Sequence, residues 1–432
     1  MADRDPDQPG RRRLLQGLAG GALLGAAAPG SAASPASPAA APQDPVAPFA
    51  RGYYACALQL AVDAVNPDTS REAARARMQA TLRRVDEMLE GTRRWVGPDL
   101  KLVVLPEYFM TGFPWGESIP AWRDKAAIDV DGPEYAALGA MAQKHKLHLA
   151  GNAYETDRHF PGLYFQASFV VAPSGDVVLR YRRLVSMFAP TPHDVWDRYL
   201  DLYGLDGVFP VARTSIGRLA AIASEEILYP EIARALALRG AEVFVHSTSE
   251  VGSTRLTPKD IAKRARAIEN LAYVVSANTG GFLESDLPSG STDGMSKVVD
   301  YLGEVRIEAG FGESAVACAE IDLAALRRYR RRPGMGNLLA RQRLERGRPL
   351  PYREAGIVGR EPALAIVGKH QEEQLADRDD PHPETEIPHG PLFSARTWIE
   401  AECDLSFENW SKRNYLTPSE LAARVNDGRQ AR

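Results

Sequence analysis

Short apolar runs alternate with segments of helical periodicity from residue 51 onward, and this alternation restricts the fold more than any other feature. The runs YYACALQLAV (53–62) and LKLVVL (100–105) are typical of buried strands, and apolar residues recur at helical spacing over 70–90 between them. A second helix is predicted over 133–146, with the strand LHLAGNAYE after it. Such alternation predicts an α/β domain with mixed strand directions, in either one sheet or two.

Local turn and capping signals support these elements. The turns Ser174-Gly175-Asp176 and Ser215-Ile216-Gly217-Arg218 each separate two strand-like runs and predict two hairpins. A capping box of Thr69 with Glu72 is predicted for the first helix, and Thr257-Pro258 with Asp260 predicts the start of a later one. The arginine-rich RRYRRRPGMGN (327–337) lacks a phosphate-loop pattern and is predicted to be a surface turn.

Residues 1–45 predict an export signal. The basic segment GRRRLLQG (10–17) precedes a weakly apolar Leu/Gly/Ala stretch and then Ala/Pro/Ser low complexity, which is the order found in such signals. Arg11-Arg12 followed by Arg13, Leu14 and Leu15 resembles the twin-arginine type, whose cargo crosses the membrane already folded. We expect a periplasmic or extracellular protein, cleaved after Ala33 or Ala41. The alternative is a polar tail with a chance arginine cluster.

Composition argues against several classes of function. The 432-residue chain has a formal net charge of −4, so no basic surplus indicates nucleic acid as a partner. No run of eighteen apolar residues predicts a membrane-spanning helix. Cys56, Cys318 and Cys403 show neither metal-ligand spacing nor a disulfide framework, and the first two are interpreted as core residues. No metal or organic cofactor is expected.

Residues 346–432 are predicted to be an extension of a domain that spans 50–345. Hydrophobic runs shorten after about residue 345, and DRDDPHPETEIPHGP (377–391) is acidic and proline-rich. His382 and His389 in that stretch are interpreted as part of a solvated linker rather than a metal site. The extension has too little apolar content for its own core, so we expect an arm on the main domain or on a partner subunit.

Four segments, in order, carry a resemblance to a known family. The first is VVLPEYFMTGF, a buried strand that ends in Pro106-Glu107, and the second is VLRYRRLVSM. The third is IGRLAAIASEEILYPEIARALALRGAEVFV, and the fourth is RARAIENLAYVVSANTGG (264–281). Together they resemble the nitrilase superfamily of carbon–nitrogen hydrolases over roughly residues 50–345. The resemblance implies a four-layer α-β-β-α sandwich that packs sheet to sheet with a partner copy in homo-oligomers.

The resemblance also implies a catalytic centre, with two substitutions. Glu107 falls on the family's general base, Arg183 on its catalytic lysine and Ser224 on its catalytic cysteine. In the family a thiol attacks an amide, nitrile or carbamoyl carbon, the glutamate carries the proton, and the lysine with a backbone N–H holds the oxyanion. Serine is far harder than cysteine for a carboxylate to deprotonate. A guanidinium beside Glu107 is also expected to lower the carboxyl pKa and weaken the base.

Other positions have simpler interpretations. The resemblance implies that Asp194 stands for a second carboxylate that helps to position the substrate, and that Glu225 lends its backbone N–H to an oxyanion hole. His246, at the end of the strand AEVFVHS, is interpreted as a core or strand-end histidine rather than a catalytic one. Arg264, Arg266 and Glu269 are predicted to form a solvated or salt-bridged helix face.

Two functions are compatible with these residues. The first is an exported hydrolase that acts on a small, non-peptide amide, carbamoyl or related carbon–nitrogen bond through Glu107, Arg183 and Ser224. The second is a catalytically inactive protein of the same fold that binds a small ligand or a protein partner. A Ser-His-Asp hydrolase is disfavoured, because no G-x-S-x-G motif surrounds Ser224.

Overall fold

A computed structural model describes residues 52–187, 189–250, 256–283, 294–332 and 334–340. The predicted export signal (1–45), the predicted extension (346–432) and Cys403 lie outside the described residues.

Within the described residues the chain forms strands and helices in alternation. The strands are β1 (Tyr53–Ala57), β2 (Val62–Asp63), β3 (Leu100–Val104), β4 (His148–Thr156), β5 (Tyr164–Val171), β6 (Val177–Arg182), β7 (Ala212–Thr214), β8 (Gly217–Ala223), β9 (Val243–Ser247), β10 (Tyr273–Ala277), β11 (Phe282–Leu283), β12 (Lys297–Val299), β13 (Val305–Glu308) and β14 (Cys318–Ile321). The helices are α1 (Arg71–Val96), α2 (Ile119–Ala126), α3 (Pro133–His145), α4 (Trp196–Val208), α5 (Pro230–Leu238), α6 (Pro258–Asn270) and α7 (Leu323–Arg331).

The larger strands form two six-stranded mixed sheets, which answers the question that the pattern left open. The first has the order β14-β1-β3-β4-β5-β6, and the second has the order β13-β12-β10-β9-β8-β7. Each has a parallel centre, β1-β3-β4 in one and β8-β9-β10 in the other, flanked by antiparallel strands. Both predicted hairpins, β5-β6 and β7-β8, are confirmed.

The two sheets pack face to face with helices outside. Alternate residues of β1 show this arrangement, because Ala55 and Ala57 pack against the second sheet while Cys56 faces the opposite way, towards α1 and α3. Helices α5 and α6 contribute to the core on the far side of the second sheet. The layer order is therefore helix, sheet, sheet, helix, as the resemblance implied.

Two local expectations were wrong. Ser70, not Thr69, caps α1, because its extended backbone lets its Oγ accept a hydrogen bond from the N–H of Ala73. The segment 327–337 is not a turn over its first part, since α7 runs to Arg331. Asp322 caps α7, and Leu323 and Leu326 bury its apolar side in the core.

Candidate active site

Three strand ends bring together the residues that the resemblance singled out. Glu107 lies three residues after β3, Arg183 directly follows β6, and Ser224 directly follows β8. Arg183 Nη1 lies 2.8 Å from Glu107 Oε1, and the Ser224 side chain is close enough to the same carboxylate to lower its pKa. The carboxyl ends of strands from both sheets therefore meet at one cluster, although their catalytic roles stay predictions.

Glu107 is a buried carboxylate with several donors around it. Its side chain is 2% exposed, and Gln166 Nε2 donates to Oε1 at 2.7 Å. Burial raises the pKa of Glu107, although the charges of Arg183 and Lys259 and the hydrogen bonds from Ser224 and Gln166 act in the opposite direction. Arg183 does lower the pKa of Glu107, as expected, but desolvation of the carboxylate is the larger effect, so the net pKa is raised. A raised pKa makes Glu107 a better proton acceptor.

Arg183 is a brace with every guanidinium nitrogen engaged. Nη1 donates to Glu107 and to Gln166 Oε1, both at 2.8 Å, and Nη2 lies 2.5 Å from Glu225 Oε1. Nε donates to the carbonyl oxygen of Val185. The side chain is buried, so these bonds hold Glu107, Gln166 and Glu225 in one fixed arrangement.

Ser224 has a strained backbone that the surroundings hold in place. Its φ of 47° lies in the left-handed region, which costs a non-glycine residue about 1–3 kcal/mol and persists only under external support. His246 Nε2 lies 2.9 Å from the Ser224 carbonyl oxygen, and His246 Nδ1 lies 2.8 Å from Ser276 Oγ. Because a carbonyl oxygen only accepts, Nε2 carries the proton and Nδ1 accepts from the Ser276 hydroxyl. Burial lowers the pKa of His246 to about 3, so the ring stays neutral.

Glu226 ties the turn after Ser224 to the segment after β6. Its Oε1 accepts from the backbone N–H groups of Leu184 at 2.7 Å and Val185 at 3.0 Å, and its Oε2 accepts from the Tyr181 hydroxyl at 2.7 Å. Burial raises the pKa of Glu226 to about 7. The two chain segments that carry Arg183 and Ser224 are thereby held in register.

Arg266 supports the same turn from α6. Its Nε donates to the carbonyl oxygen of Ile227 at 2.9 Å and its Nη2 to that of Leu228 at 3.2 Å, while Nη1 pairs with Glu269 at 2.5 Å. The salt-bridged alternative for this helix face is thus borne out for Arg266 and Glu269. Arg266 also supports the turn after Ser224, and it reaches that turn only because α6 packs against it.

Asp194 and Glu225, the two predicted substrate-binding residues, have different neighbours. Asp194 Oδ2 accepts from the N–H of Thr191 at 2.7 Å and from its hydroxyl at 2.9 Å, as part of a local capping box. Glu225 lies within the cluster, through its carboxylate bond to Arg183. Glu225 therefore joins Glu107 and Ser224 in one cluster, because Arg183 pairs with both Glu225 and Glu107. Substrate binding by either residue stays a prediction.

Sequence reasoning missed Lys259, Gln166 and Glu226. Lys259 is the second residue of α6 and is buried, and its charge acts on Glu107, on Glu250 and on His246. The sequence placed Lys259 at a predicted helix start, but it gave no sign that this helix lies near the end of β3. The structure connects the two through β9, because the N–H of Glu107 donates to Thr248 and Lys263 of α6 pairs with Glu250.

An aromatic cluster begins at Tyr108, the residue after Glu107. Tyr108 lies 6.2 Å from Tyr154 and 5.7 Å from Phe113 between ring centroids. Phe282 lies 6.1 Å from Tyr108, and Trp115 lies 5.7 Å from Phe113. Burial, and then the charge of Glu107, raise the pKa of the Tyr108 hydroxyl, so this end of the aromatic cluster lies near the carboxylate.

Within the part of the chain that the structure describes, no group of three or more histidine, cysteine, aspartate or glutamate side chains is arranged to hold a metal ion. Among the same described residues, no helix combines the length and the apolar character that crossing a bilayer requires.

Comparison with known proteins agrees with the fold and the family resemblance. The family model described as carbon-nitrogen hydrolase matches residues 63–331, more than half of the chain. A formamidase of Pseudomonas syringae pv. tomato is 28% identical over 265 residues, which cover 61% of this chain and 72% of that protein. An omega-amidase of Xenopus laevis is 24% identical over 231 residues, which cover 53% and 79%.

A solved carbon-nitrogen hydrolase from Helicobacter pylori superposes with a TM-score of 0.51 at 23% identity, covering 70% of this chain and 98% of that one. At that identity the superposition supports the fold alone. The family match over more than half the chain, together with the layered sandwich, identifies this chain as a member of the carbon–nitrogen hydrolase family.

Proposed function

We propose that this protein is an exported carbon–nitrogen hydrolase that cleaves a small, non-peptide amide, carbamoyl or related compound at Ser224. The observation that carries the proposal is the placement of Ser224 against the buried carboxylate of Glu107, whose pKa burial raises and whose ionised form the Ser224 side chain stabilises. The formamidase and omega-amidase similarities support an amide substrate.

The proposed reaction proceeds through an acyl-enzyme. Ser224 Oγ attacks the carbonyl carbon while Glu107 takes the hydroxyl proton, and the tetrahedral intermediate expels the amine as Glu107 returns that proton to its nitrogen. Water then attacks the ester carbonyl carbon, and Glu107 accepts a proton from that water. When the ester bond breaks, Glu107 returns the proton to Ser224 Oγ, and the carboxylic acid is released. Each step conserves the proton that Glu107 carries.

The charges around the site support the transition state. Arg183 keeps the carboxylate of Glu107 in place, and the buried cation Lys259 adds a second positive charge near it. Fixed cations in a water-poor site stabilise developing negative charge without reorganising. The backbone N–H of Glu225 is proposed as the direct oxyanion donor, since it follows the nucleophile.

The alternative is a binding protein that no longer catalyses. It is favoured by the complete engagement of the Arg183 guanidinium, which leaves no Arg183 nitrogen without a protein partner. In that case the cluster would recognise an amide-like ligand, with Ser224 as a hydrogen-bonding group.

Hydrolysis of a panel of amides, carbamoyl compounds and nitriles separates the two. We expect the wild type to turn over one class and Ser224→Ala to lose that activity, with Ser224→Cys as the matched variant that restores a thiol. An inert wild type beside an active Ser224→Cys variant would reject the hydrolase and support the binding alternative.

Export and association are proposed separately. Replacing Arg11 and Arg12 by Lys is expected to retain the protein in the cytoplasm, and unchanged export of that variant would contradict the twin-arginine route. A homo-oligomer that packs sheet to sheet is proposed from the family resemblance, and sedimentation of the purified protein tests it; a monomer at all concentrations would contradict it.

A further inference from the structure

Cys56 and Cys318 lie opposite each other on neighbouring antiparallel strands. The register of β1 against β14 pairs Tyr53 with Ile321 and continues to Cys56 with Cys318. One position further, the N–H of Ala57 donates to the carbonyl oxygen of Ala317 at 2.9 Å. Hydrogen-bonded and non-hydrogen-bonded pairs alternate along such strands, so the two cysteines occupy a non-hydrogen-bonded pair.

That position places two cysteines within the range of a disulfide. In a non-hydrogen-bonded pair the Cα atoms are about 4.5 Å apart and the side chains approach closely. Disulfides span Cα separations of about 4.4–6.8 Å. Both cysteine side chains also face the same way, towards the cluster under α1 and α3.

The sulfur atoms share one neighbour. Cys56 Sγ lies 3.6 Å and Cys318 Sγ lies 3.2 Å from the carbonyl oxygen of Ala315, so the two sulfurs are at most 6.8 Å apart. The neighbouring Cys318 thiol, with burial, raises the pKa of Cys56, as is expected when the two sulfurs face each other. Both thiols are free in the structure.

Access to the pair is unequal. Cys56 is fully buried, whereas Cys318 is half-buried on β14, which is the edge strand of the first sheet. An oxidant from solution therefore meets Cys318 first, and Cys56 is placed to resolve the product.

We propose that Cys56 and Cys318 form an intrachain disulfide by exchange with an oxidant of the glutathione-disulfide or protein-disulfide class. The Cys318 thiolate attacks one sulfur of the oxidant R–S–S–R, forming Cys318–S–S–R and releasing RS⁻. The Cys56 sulfur then attacks Cys318 Sγ and expels the second RS⁻. Two thiols lose two protons and two electrons, and the oxidant becomes two RSH.

The bond joins the first strand of the domain to the edge strand β14. The cysteines are separated by 262 positions in the chain, and closing so long a loop restricts the unfolded state strongly. The geometry also suits a chain that is oxidised only after folding, since the thiols already face each other. The inference rests on neither the proposed hydrolysis nor the proposed export.

The test uses full-length protein carrying Cys403→Ser, so that Cys56 and Cys318 are the two thiols present. After exposure to oxidised glutathione the protein is denatured, alkylated and weighed. We expect the mass to fall by two hydrogens, no alkylation, and a thermal midpoint raised by about 5 °C that a reductant reverses. Two alkylated thiols, or a glutathione adduct that never closes, would overturn the proposal.

Two single variants provide the controls. With Cys56→Ser, Cys318 should collect a stable glutathione adduct, because no thiol resolves it. With Cys318→Ser, Cys56 should stay unmodified while the protein is folded, because it is buried. Equal modification of the two thiols would contradict the unequal access on which the mechanism depends.

Discussion

Arg182 and Arg183 are consecutive buried arginines, and each bridges two carboxylates. Arg182 pairs with Glu155 at 3.3 Å and with Asp157 at 2.6 Å, with the rings of Phe165, Tyr199 and Tyr203 around its guanidinium. Arg183 pairs with Glu107 and Glu225. They point in opposite directions from the end of β6, so one pair of carboxylates lies away from Ser224 and the other beside it.

The two pairs differ in what happens to the carboxylate. Burial raises the pKa of Asp157, but Arg182, the Tyr203 hydroxyl and the N–H of His159 together outweigh it, and the net pKa is lowered. For Glu107 burial prevails and the net pKa is raised. The same arginine–carboxylate contact therefore stabilises an ionised structural group in one case and leaves a proton acceptor in the other.

The largest expected effect is loss of the base. Glu107→Gln keeps the size of the side chain and removes its basicity, so kcat/KM should fall about 10²–10⁴-fold on any amide that the wild type hydrolyses. Asp157→Asn is the matched control and should change activity only a few-fold. Equal losses in both variants would break the distinction between the two clusters.

The next effect is on stability. Arg182→Met leaves Asp157 buried without its cation and Glu155 with Arg180 alone, which should lower the free energy of unfolding by about 3–5 kcal/mol in urea titrations. Arg180→Met is the control, because Arg180 also pairs with Glu155 but is itself 30% exposed. A greater loss from the Arg180 variant would contradict a structural role for the Arg182 cluster.

The third effect is on the pH dependence of stability, with opposite signs in the two clusters. The pKa of Glu226, beside Arg183, rises from 4.5 to about 7 on folding. At pH values between these two, the folded state therefore binds a proton that the unfolded state has released. The free energy of unfolding should therefore fall as the pH rises through that window. The pKa of Asp157 is lowered from 3.8 on folding, so its contribution to the free energy of unfolding is fully present above pH 3.8. That contribution is lost as the pH falls below 3.8 and the carboxylate is protonated.

Urea unfolding of Glu226→Gln at pH 5, 6 and 7 tests the first sign. The variant should lack the decline that the wild type shows over this range. If the free energy of unfolding of the variant declines as much as that of the wild type, the decline comes from another titratable group.

The smallest effect sharpens the role of Lys259. Its charge lowers the pKa of Glu107, so Lys259→Met should move the acid limb of the pH profile of kcat/KM to higher pH, by less than Arg183→Met does. Lys263→Met, one turn along α6, is the control and should leave the limb in place. A shift to lower pH would show that Lys259 does not act on Glu107 through its charge.

Much of the fold was predictable because its signals are local. Both hairpins and the helices near residues 70–90 and 133–146 were predicted, since turn residues and apolar periodicity act over a few positions. Helices α2, α4 and α7 were missed or assigned to a turn. In α7 four arginines obscure two buried leucines, and only packing on the core shows that these leucines decide the helix.

The site was predictable in part for the same reason. Glu107, Arg183 and Ser224 each occur at a strand end within a family-like segment, and the resemblance named all three before any contact was known. Gln166, Glu226 and Lys259 act through contacts between distant elements, so their neighbours along the chain contain no signal for them. The pairing of Cys56 with Cys318 was missed likewise, because a strand register cannot be read from two isolated cysteines.

By itself the sequence determined the order of strands and helices, the family resemblance and the side chains present at each strand end. The tertiary structure decided which of these side chains share a site. It also decided that the pKa of Glu107 is raised while that of Asp157 is lowered, and that every guanidinium nitrogen of Arg183 has a protein partner. The reason is physical: periodicity and turn chemistry are local, whereas desolvation and Coulomb energy depend on distances that exist only once the sheets have packed.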